Sequence, residues 1–205
     1  MTQPKPKIDF WYEFASTYSY LSAMRIEDLA RDSLVEVHWR PFLLGPFFKA
    51  QGWTTSPFVE QKEKGRYMVR DMERMCAARG LVFTLPEPFP QNGLYAARLA
   101  ILGEDEGWAG RFTRLLYTEE FAGSFQLDDK IALGECLTAI GLDGNAMLAR
   151  IEEPVVKDRL RTQTQGAQAL SIFGAPTFIC EDGEMFWGDD RLEQAIEWAV
   201  SSQRG

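Results

Sequence analysis

Hydrophobic and polar positions change period several times along the chain. Ile8-Asp9-Phe10-Trp11-Tyr12 is short and rich in aromatics, as a buried strand is. Beyond a polar turn, Leu21, Met24 and Leu29 share one side of a charged stretch ending at Ala30, which predicts one amphipathic helix with Ser16 and Ser19 at its mouth. Leu34 to Leu44 alternates and then runs apolar, a second strand that returns beside the first through a right-handed crossover. Gly45 to Phe58 is aromatic, broken by glycine and proline, and reads as an irregular loop. It either carries function or packs Phe47, Phe48 and Trp53 as plugs. Val59 to Arg79 turns helical, with Tyr67, Met68, Met72 and Met75 as its apolar stripe and Gly80 as its end. Leu85 to Pro90 is a proline-fixed bridge. Helical patterns then follow at Leu94–Leu102, Trp108–Phe121, Asp129–Ile140, Gly144–Ile151 and Val155–Ala169, with starts signalled at Asp128 and Pro154. The C-terminal stretch returns to strands: Gly174-Ala175-Pro176 feeds Thr177–Cys180, an Asp-Gly turn follows, and Met185–Trp187 leads into a last helix from Leu192 to Ser201.

A strand–helix–strand front and a hairpin–helix end, separated by helices, is the α/β plan of a thioredoxin-like fold with an all-helical insertion. Residues 1–48 and 170–205 form the thioredoxin-like domain and 49–169 the insertion. On this plan Pro176 is cis and faces the mouth of the first helix, and the Ala175 backbone points at a ligand, where it could pair with an extended peptide. The corner that carries Cys-x-x-Cys in thioredoxins reads Ser16-Thr17-Tyr18-Ser19. Two hydroxyls form no disulfide, so the redox chemistry of that corner is lost. Free N–H groups and a hydroxyl still favour an anion there, which suits a thiolate brought by a ligand. Moving a thiol from about 8.5 to about 6.5 takes roughly 2.7 kcal/mol. A hydrogen bond to a charged group supplies about 1.5–3, and a helix terminus about 0.3–1. The plain alternative is that Ser16 or Ser19 only caps the helix.

Composition narrows the partners. The net charge of −8 over 205 residues argues against nucleic acid, which needs a basic surface. An anionic small ligand would have to meet a local basic group, such as one of Lys62, Lys64, Arg66 and Arg70. Cys76, Cys136 and Cys180 are odd in number and far apart, with no histidine in metal spacing. They read as buried residues in a reducing compartment, with no disulfide framework and no zinc site. The N-terminus lacks a signal peptide's apolar core, and no run approaches the roughly 20 apolar residues of a membrane span. These features predict a cytoplasmic, soluble protein. His38, the sole histidine, has no Ser-His-Asp spacing to place it and reads as structural.

Five stretches carry a resemblance that runs in order along nearly the whole chain. They are Glu13-Phe14-Ala15-Ser16-Thr17-Tyr18-Ser19-Tyr20-Leu21, Arg40-Pro41-Phe42-Leu43-Leu44-Gly45, Lys64-Gly65-Arg66-Tyr67-Met68, Gly174-Ala175-Pro176-Thr177-Phe178 and Phe186-Trp187-Gly188-Asp189-Asp190-Arg191-Leu192. Together they resemble the 2-hydroxychromene-2-carboxylate isomerases, close to kappa-class glutathione transferases and within the wider DsbA-like group. The resemblance implies glutathione as cofactor, a homodimer, and a small aromatic or conjugated substrate. It implies that Ser16 holds the glutathione sulfur as thiolate, beside Thr17 and Tyr18, and that the backbone of Ala175, before Pro176, pairs with the cysteinyl part. It places Asp190 on the γ-glutamyl ammonium, with Asp189 and Arg191 beside it, and Lys64 on a carboxylate. The family asparagine falls at Thr54 or Thr55 here, and its serine at Asp189. The aromatic loop from Phe47 to Phe58 would then wall the substrate. A kappa-class-like transferase, or a non-catalytic module binding peptides at the cis-proline edge, are the alternatives.

Overall fold

The computed structural model describes residues 4–203. Met1–Gln3, part of the leader expectation, and the last two residues of the C-terminal segment lie outside that range. Strand β1 (Lys7–Tyr12) pairs in parallel with β2 (Glu36–Pro41) and antiparallel with β3 (Thr177–Cys180), which pairs antiparallel with β4 (Met185–Trp187). The sheet order is β2-β1-β3-β4. β1 therefore lies between two neighbours, and both of its faces are covered. Ile8, Phe10 and Tyr12 enter the main core, while Trp11 points the other way, to Phe42, Phe47, Ile172 and Ile179. This is why β1 reads as a nearly continuous apolar run. β2 is shorter than Leu34–Leu44: Leu34 has φ 58° and is exposed, so the chain turns there before pairing begins.

Two helices, not one, connect the strands: α1 (Thr17–Ala23) and α2 (Ile26–Asp32). The helix breaks at Met24-Arg25, where Arg25 takes φ −134° as the N-cap of α2 and its side chain reaches across to the Asp189 carbonyl (Nη2 to O, 2.8 Å). The stretch expected as an irregular loop contains α3 (Gly45–Ala50), with Pro46 in its first turn, and opens α4 (Pro57–Glu60). α5 (Lys62–Arg79) buries Met68, Met72 and Cys76, an i, i+4, i+8 row. Tyr67, expected in that stripe, lies off the row and is 63% exposed. Gly80 ends α5 at φ 68°. The helical block continues as α6 (Leu94–Glu106), α7 (Ala109–Glu120), α8 (Lys130–Ala139), α9 (Gly144–Arg150) and α10 (Pro154–Ala169), and α11 (Leu192–Ser202) closes the chain. The cap of α8 is Asp129, whose carboxylate accepts from the Ile131 and Ala132 N–H groups, and not Asp128.

The core is continuous from sheet to insertion. Tyr12 meets Phe14 at 5.5 Å between ring centroids, Phe14 meets Tyr117 of α7 at 5.5 Å, and Tyr20 of α1 stacks on Phe121 at 4.9 Å. α7 thus packs behind the turn that joins β1 to α1. That turn is held from beneath by aromatic contacts and by the Tyr117 hydroxyl, which donates to the Glu13 carbonyl at 2.8 Å. Among the described residues no helix is long and apolar enough to cross a membrane.

Candidate active site

Ser16 stands at the N-cap of α1 with extended backbone (φ −89°, ψ 108°). Its Oγ accepts from the Ser19 N–H at 3.2 Å and donates to the Ala175 carbonyl at 3.0 Å. The Ala175–Pro176 peptide is cis, as the corner requires. The fold therefore brings Ser16 and Ala175 into contact, and the hydroxyl both caps the helix and bridges to β3's approach. Ser19 is fully buried, so of the two serines only Ser16 faces the corner. Thr17 is also buried and turns its hydroxyl inward to the Met68 sulfur (3.4 Å). The Tyr18 hydroxyl donates to Asp71 at 3.0 Å, and burial with that carboxylate beside it pushes the phenol's pKa up. Thr17 and Tyr18 can thus meet a ligand at the corner through first-turn backbone N–H groups, not through their hydroxyls.

The second half of the predicted site is organised by a buried ion cluster that sequence reasoning missed. Gly188, at φ 108°, ties to the cis-proline by donating to the Pro176 carbonyl at 3.0 Å. Asp189 follows in a 3-10 turn and is only 2% exposed. Its carboxylate accepts from the Ser22 hydroxyl (2.9 Å) and from Arg79 (2.8 Å), and Arg25 reaches both its carboxylate and its backbone carbonyl. The Asp189 charge is therefore turned inward between two guanidiniums. Asp190 is exposed and pairs with its neighbour Arg191 at 3.0 Å, leaving that carboxylate at the surface. Nothing in local sequence pointed to Arg25 or Arg79, since their partner is more than a hundred residues away.

Thr54 and Thr55 line a cavity of about 650 Å³ that opens against Ala15, beside Ser16. Its apolar wall includes Leu43, Leu44, Phe48 and Trp53, the last two with ring centroids 5.9 Å apart. Phe47 does not join that wall but packs inside on Phe42. The Thr54 hydroxyl is engaged by Glu60 at 2.7 Å. Lys64 is exposed on α5, its Nζ 5.9 Å from the centre of the Phe58 ring and not part of this cavity. Lys49 of the same loop also lines it, as do Glu13, Gln91, Asn92 and Gly93, and none of these last four was expected there. Glu13 is 9% exposed, and burial raises its pKa from 4.5 to about 8, with only the Ala15 backbone N–H offsetting it. The sole sequence signal for Glu13 is its position directly after an apolar run, where a carboxylate shares the strand's burial. The three thiols are buried elsewhere in the core, with pKa values raised by burial to about 11 for Cys76 and Cys136 and about 12 for Cys180. Any thiolate at the Ser16 corner is not the protein's own.

A family model described as a DSBA-like thioredoxin domain matches residues 7–197. The chain is 29% identical over 186 residues to a 2-hydroxychromene-2-carboxylate isomerase of Sphingobium xenophagum, covering 91% of this chain and 94% of that protein. It is 23% identical over 201 residues to Glutathione S-transferase kappa 1 of Caenorhabditis elegans, covering 91% and 88%. A solved 2-hydroxychromene-2-carboxylate isomerase superposes with a TM-score of 0.84 at 24% identity, over 97% of this chain and 96% of the other, which establishes a common fold.

Proposed function

The chain belongs to the DSBA-like thioredoxin family, and on that premise we propose that it is a glutathione-dependent isomerase of the 2-hydroxychromene-2-carboxylate isomerase type. Its substrate is a small aromatic or conjugated molecule, and it works in the cytoplasm as a homodimer. The observation that carries the reading is the Ser16 hydroxyl held between the first turn of α1 and the Ala175 carbonyl, beside a cavity of about 650 Å³. That volume is within the range of small-molecule sites.

The donor set fits an extended tripeptide thiol. Ser16 with the backbone of Thr17, Tyr18 and Ala175 would hold the cysteinyl part, next to Pro176. The exposed Asp190 carboxylate would take an ammonium group, with Arg191 beside it, and Lys64 would take a carboxylate. Asp189 acts through its backbone and its arginine anchors. Thr54 and Thr55 contribute to the cavity wall. When bound, glutathione supplies a thiolate nucleophile that adds reversibly to a conjugated carbon, so that a former double bond can rotate.

The chain's part is an exchange of hydrogen bonds. The Ser16 hydroxyl donates its proton in a hydrogen bond to the Ala175 carbonyl. A ligand amide N–H that takes this carbonyl frees the hydroxyl to turn toward sulfur, so no bond is lost when the charged one forms. Such a bond contributes about 1.5–3 kcal/mol, or one to two pKa units of thiol depression. α1 is only seven residues long, so the helix terminus adds little.

The test is a titration of the protein with reduced glutathione, reading thiolate absorbance against pH in wild type and Ser16→Ala. A thiol titrating one to two units below about 8.5 in the wild type, and near 8.5 in the variant, is the expected result. Bound glutathione with an ordinary thiol, or no binding, would favour the non-catalytic peptide module. A lowered thiol with conjugates released in place of isomerised substrate would favour a kappa-class-like transferase.

A further inference from the structure

The cavity beside Ser16 contains a carboxyl that the reading above does not use. Glu13 ends the turn-facing side of β1, and its carboxyl lies over Gly93. A Cβ at position 93 would stand 3.3 Å from Glu13 Oε1 and 3.2 Å from the Phe14 Cβ. Gly93 has φ −79°, so its backbone does not demand glycine, but a side chain there would press on the Glu13 carboxyl. The polar side chains around the carboxyl are engaged elsewhere. Gln91 donates to the Phe125 carbonyl at 2.7 Å and accepts from the Leu127 N–H at 2.6 Å, and Asn92 accepts from the Leu94 N–H. The Tyr117 hydroxyl is spent on the Glu13 backbone carbonyl. Glu13 thus combines burial, a face on the cavity and a carboxyl held by the Ala15 backbone N–H with no side-chain partner among the described residues, three residues from the serine that would hold the nucleophile.

We infer that Glu13 is the proton-transfer residue of this site, serving the oxygen of a conjugated carbonyl substrate seated in the cavity. The inference rests on the proposed glutathione chemistry. As the C–S bond forms at the far carbon, the C=C electron pair moves to the carbonyl oxygen, and the Glu13 carboxyl donates its proton there. Rotation about the resulting single bond follows. On reversal the proton returns to the Glu13 carboxylate, the C=C bond re-forms and sulfur leaves as thiolate. Protons and electrons balance over the cycle, as an isomerisation demands. The titratable groups facing Glu13 are Glu120 and Tyr117 on the α7 side and Lys49 across the cavity. Glu120 is fully buried with both oxygens unpartnered among the described residues, and burial with Glu13 nearby holds its pKa well above the usual range. Burial and the neighbouring Glu13 both disfavour the Glu120 anion, so the pair can hand on one proton without placing two charges in the core.

The experiment uses reduced glutathione and the cis form of benzylideneacetone with wild type, Glu13→Gln and Glu13→Asp. Glu13→Gln is expected to leave the glutathione thiol titration in place but slow isomerisation about 100-fold or more, and to remove the alkaline fall in kcat centred near pH 8. Glu13→Asp should restore part of the rate. A variant with wild-type turnover and the same alkaline limb overturns the inference and leaves the glutathione reading standing. A wild type that lowers no thiol removes that reading and this inference together. Should Glu13→Gln fail to fold, carbon-13 NMR of glutamate-labelled wild-type protein decides. A carboxyl titrating near 8 and perturbed by glutathione supports the role, and its absence overturns it.

Discussion

The Ser16 hydroxyl caps α1 and bonds the Ala175 carbonyl, so its removal acts on folding and on chemistry together, and the two are separable. Ser16→Ala is expected to lower stability by about 1 kcal/mol through the lost cap, while Ser16→Gly, tolerated at an N-cap, should lose only a few tenths for that cap. Both should return the bound thiol to about 8.5. Chemical denaturation beside the glutathione titration checks this; a Gly variant that keeps the thiolate would show that backbone N–H groups hold the anion. Ser16 was legible because a serine between a strand and a helical period has few other uses. Glu13 was not legible as a cavity residue. Its neighbours read as a polar turn, and only α7 packed behind that turn, more than a hundred residues on, makes the position dry. Thr17 shows the same limit in reverse: it was read into the corner, but its side chain's direction is settled by Met68 on another helix.

At the scale of elements, the long helices from Leu94 to Ala169 could be read directly because their apolar positions keep a helical period over ten residues or more. α3 could not, because Gly45 and Pro46 read as breakers although proline in a first turn starts a helix. The break between α1 and α2, where Arg25 leaves helical backbone, stands beside the Asp189 cluster. That cluster joins α1, α5 and the start of α11, and it sets where Asp190 stands. Asp189→Ser takes the buried carboxylate from Arg79 and from Arg25, the latter keeping Glu193 and the backbone carbonyl, and should destabilise by about 1.5–3 kcal/mol. A loss of unfolding free energy in urea of less than about 1 kcal/mol would mean the arginines find water or other partners. Gly65 has a comparable tie: a Cβ there would run into the Phe58 carbonyl, where α4 folds back on α5. Gly65→Ala should therefore destabilise despite a helix-propensity gain of about 1 kcal/mol, and a variant more stable than wild type would show that α4 moves freely.

Over the whole molecule, the division into a thioredoxin-like part (1–48 and 170–205) and a helical insertion (49–169) describes the path of the chain, while the core runs through both, from Phe10 and Phe178 to Phe112 and Leu133. Unfolding is accordingly expected as one transition by fluorescence and circular dichroism alike. Its pH dependence follows from carboxyls sealed in that shared core. Glu13 is raised from 4.5 to about 8 and Glu104 from 4.5 to about 7, chiefly by burial, and Glu120 lies well above its usual value for the same reason. A group whose folded pKa exceeds its unfolded one binds more protons in the native state across the interval between the two values. Its stabilisation is then complete below about 4.5 and is lost as pH rises through the folded pKa. The opposing groups, Glu152, Glu106, Asp182 and Glu193, have lowered pKa values but lie at the surface, where screening weakens their contribution. Stability should therefore fall from about pH 5 to pH 8, each buried carboxyl adding a slope of about 1.4 kcal/mol per pH unit within its own interval. Glu13→Gln removes one such slope, so the variant should gain on wild type steadily between pH 5 and 8. Urea midpoints at unit pH steps measure both curves. Parallel curves would place Glu13 in the ordinary carboxylate range, and with it the proton that the site is proposed to move.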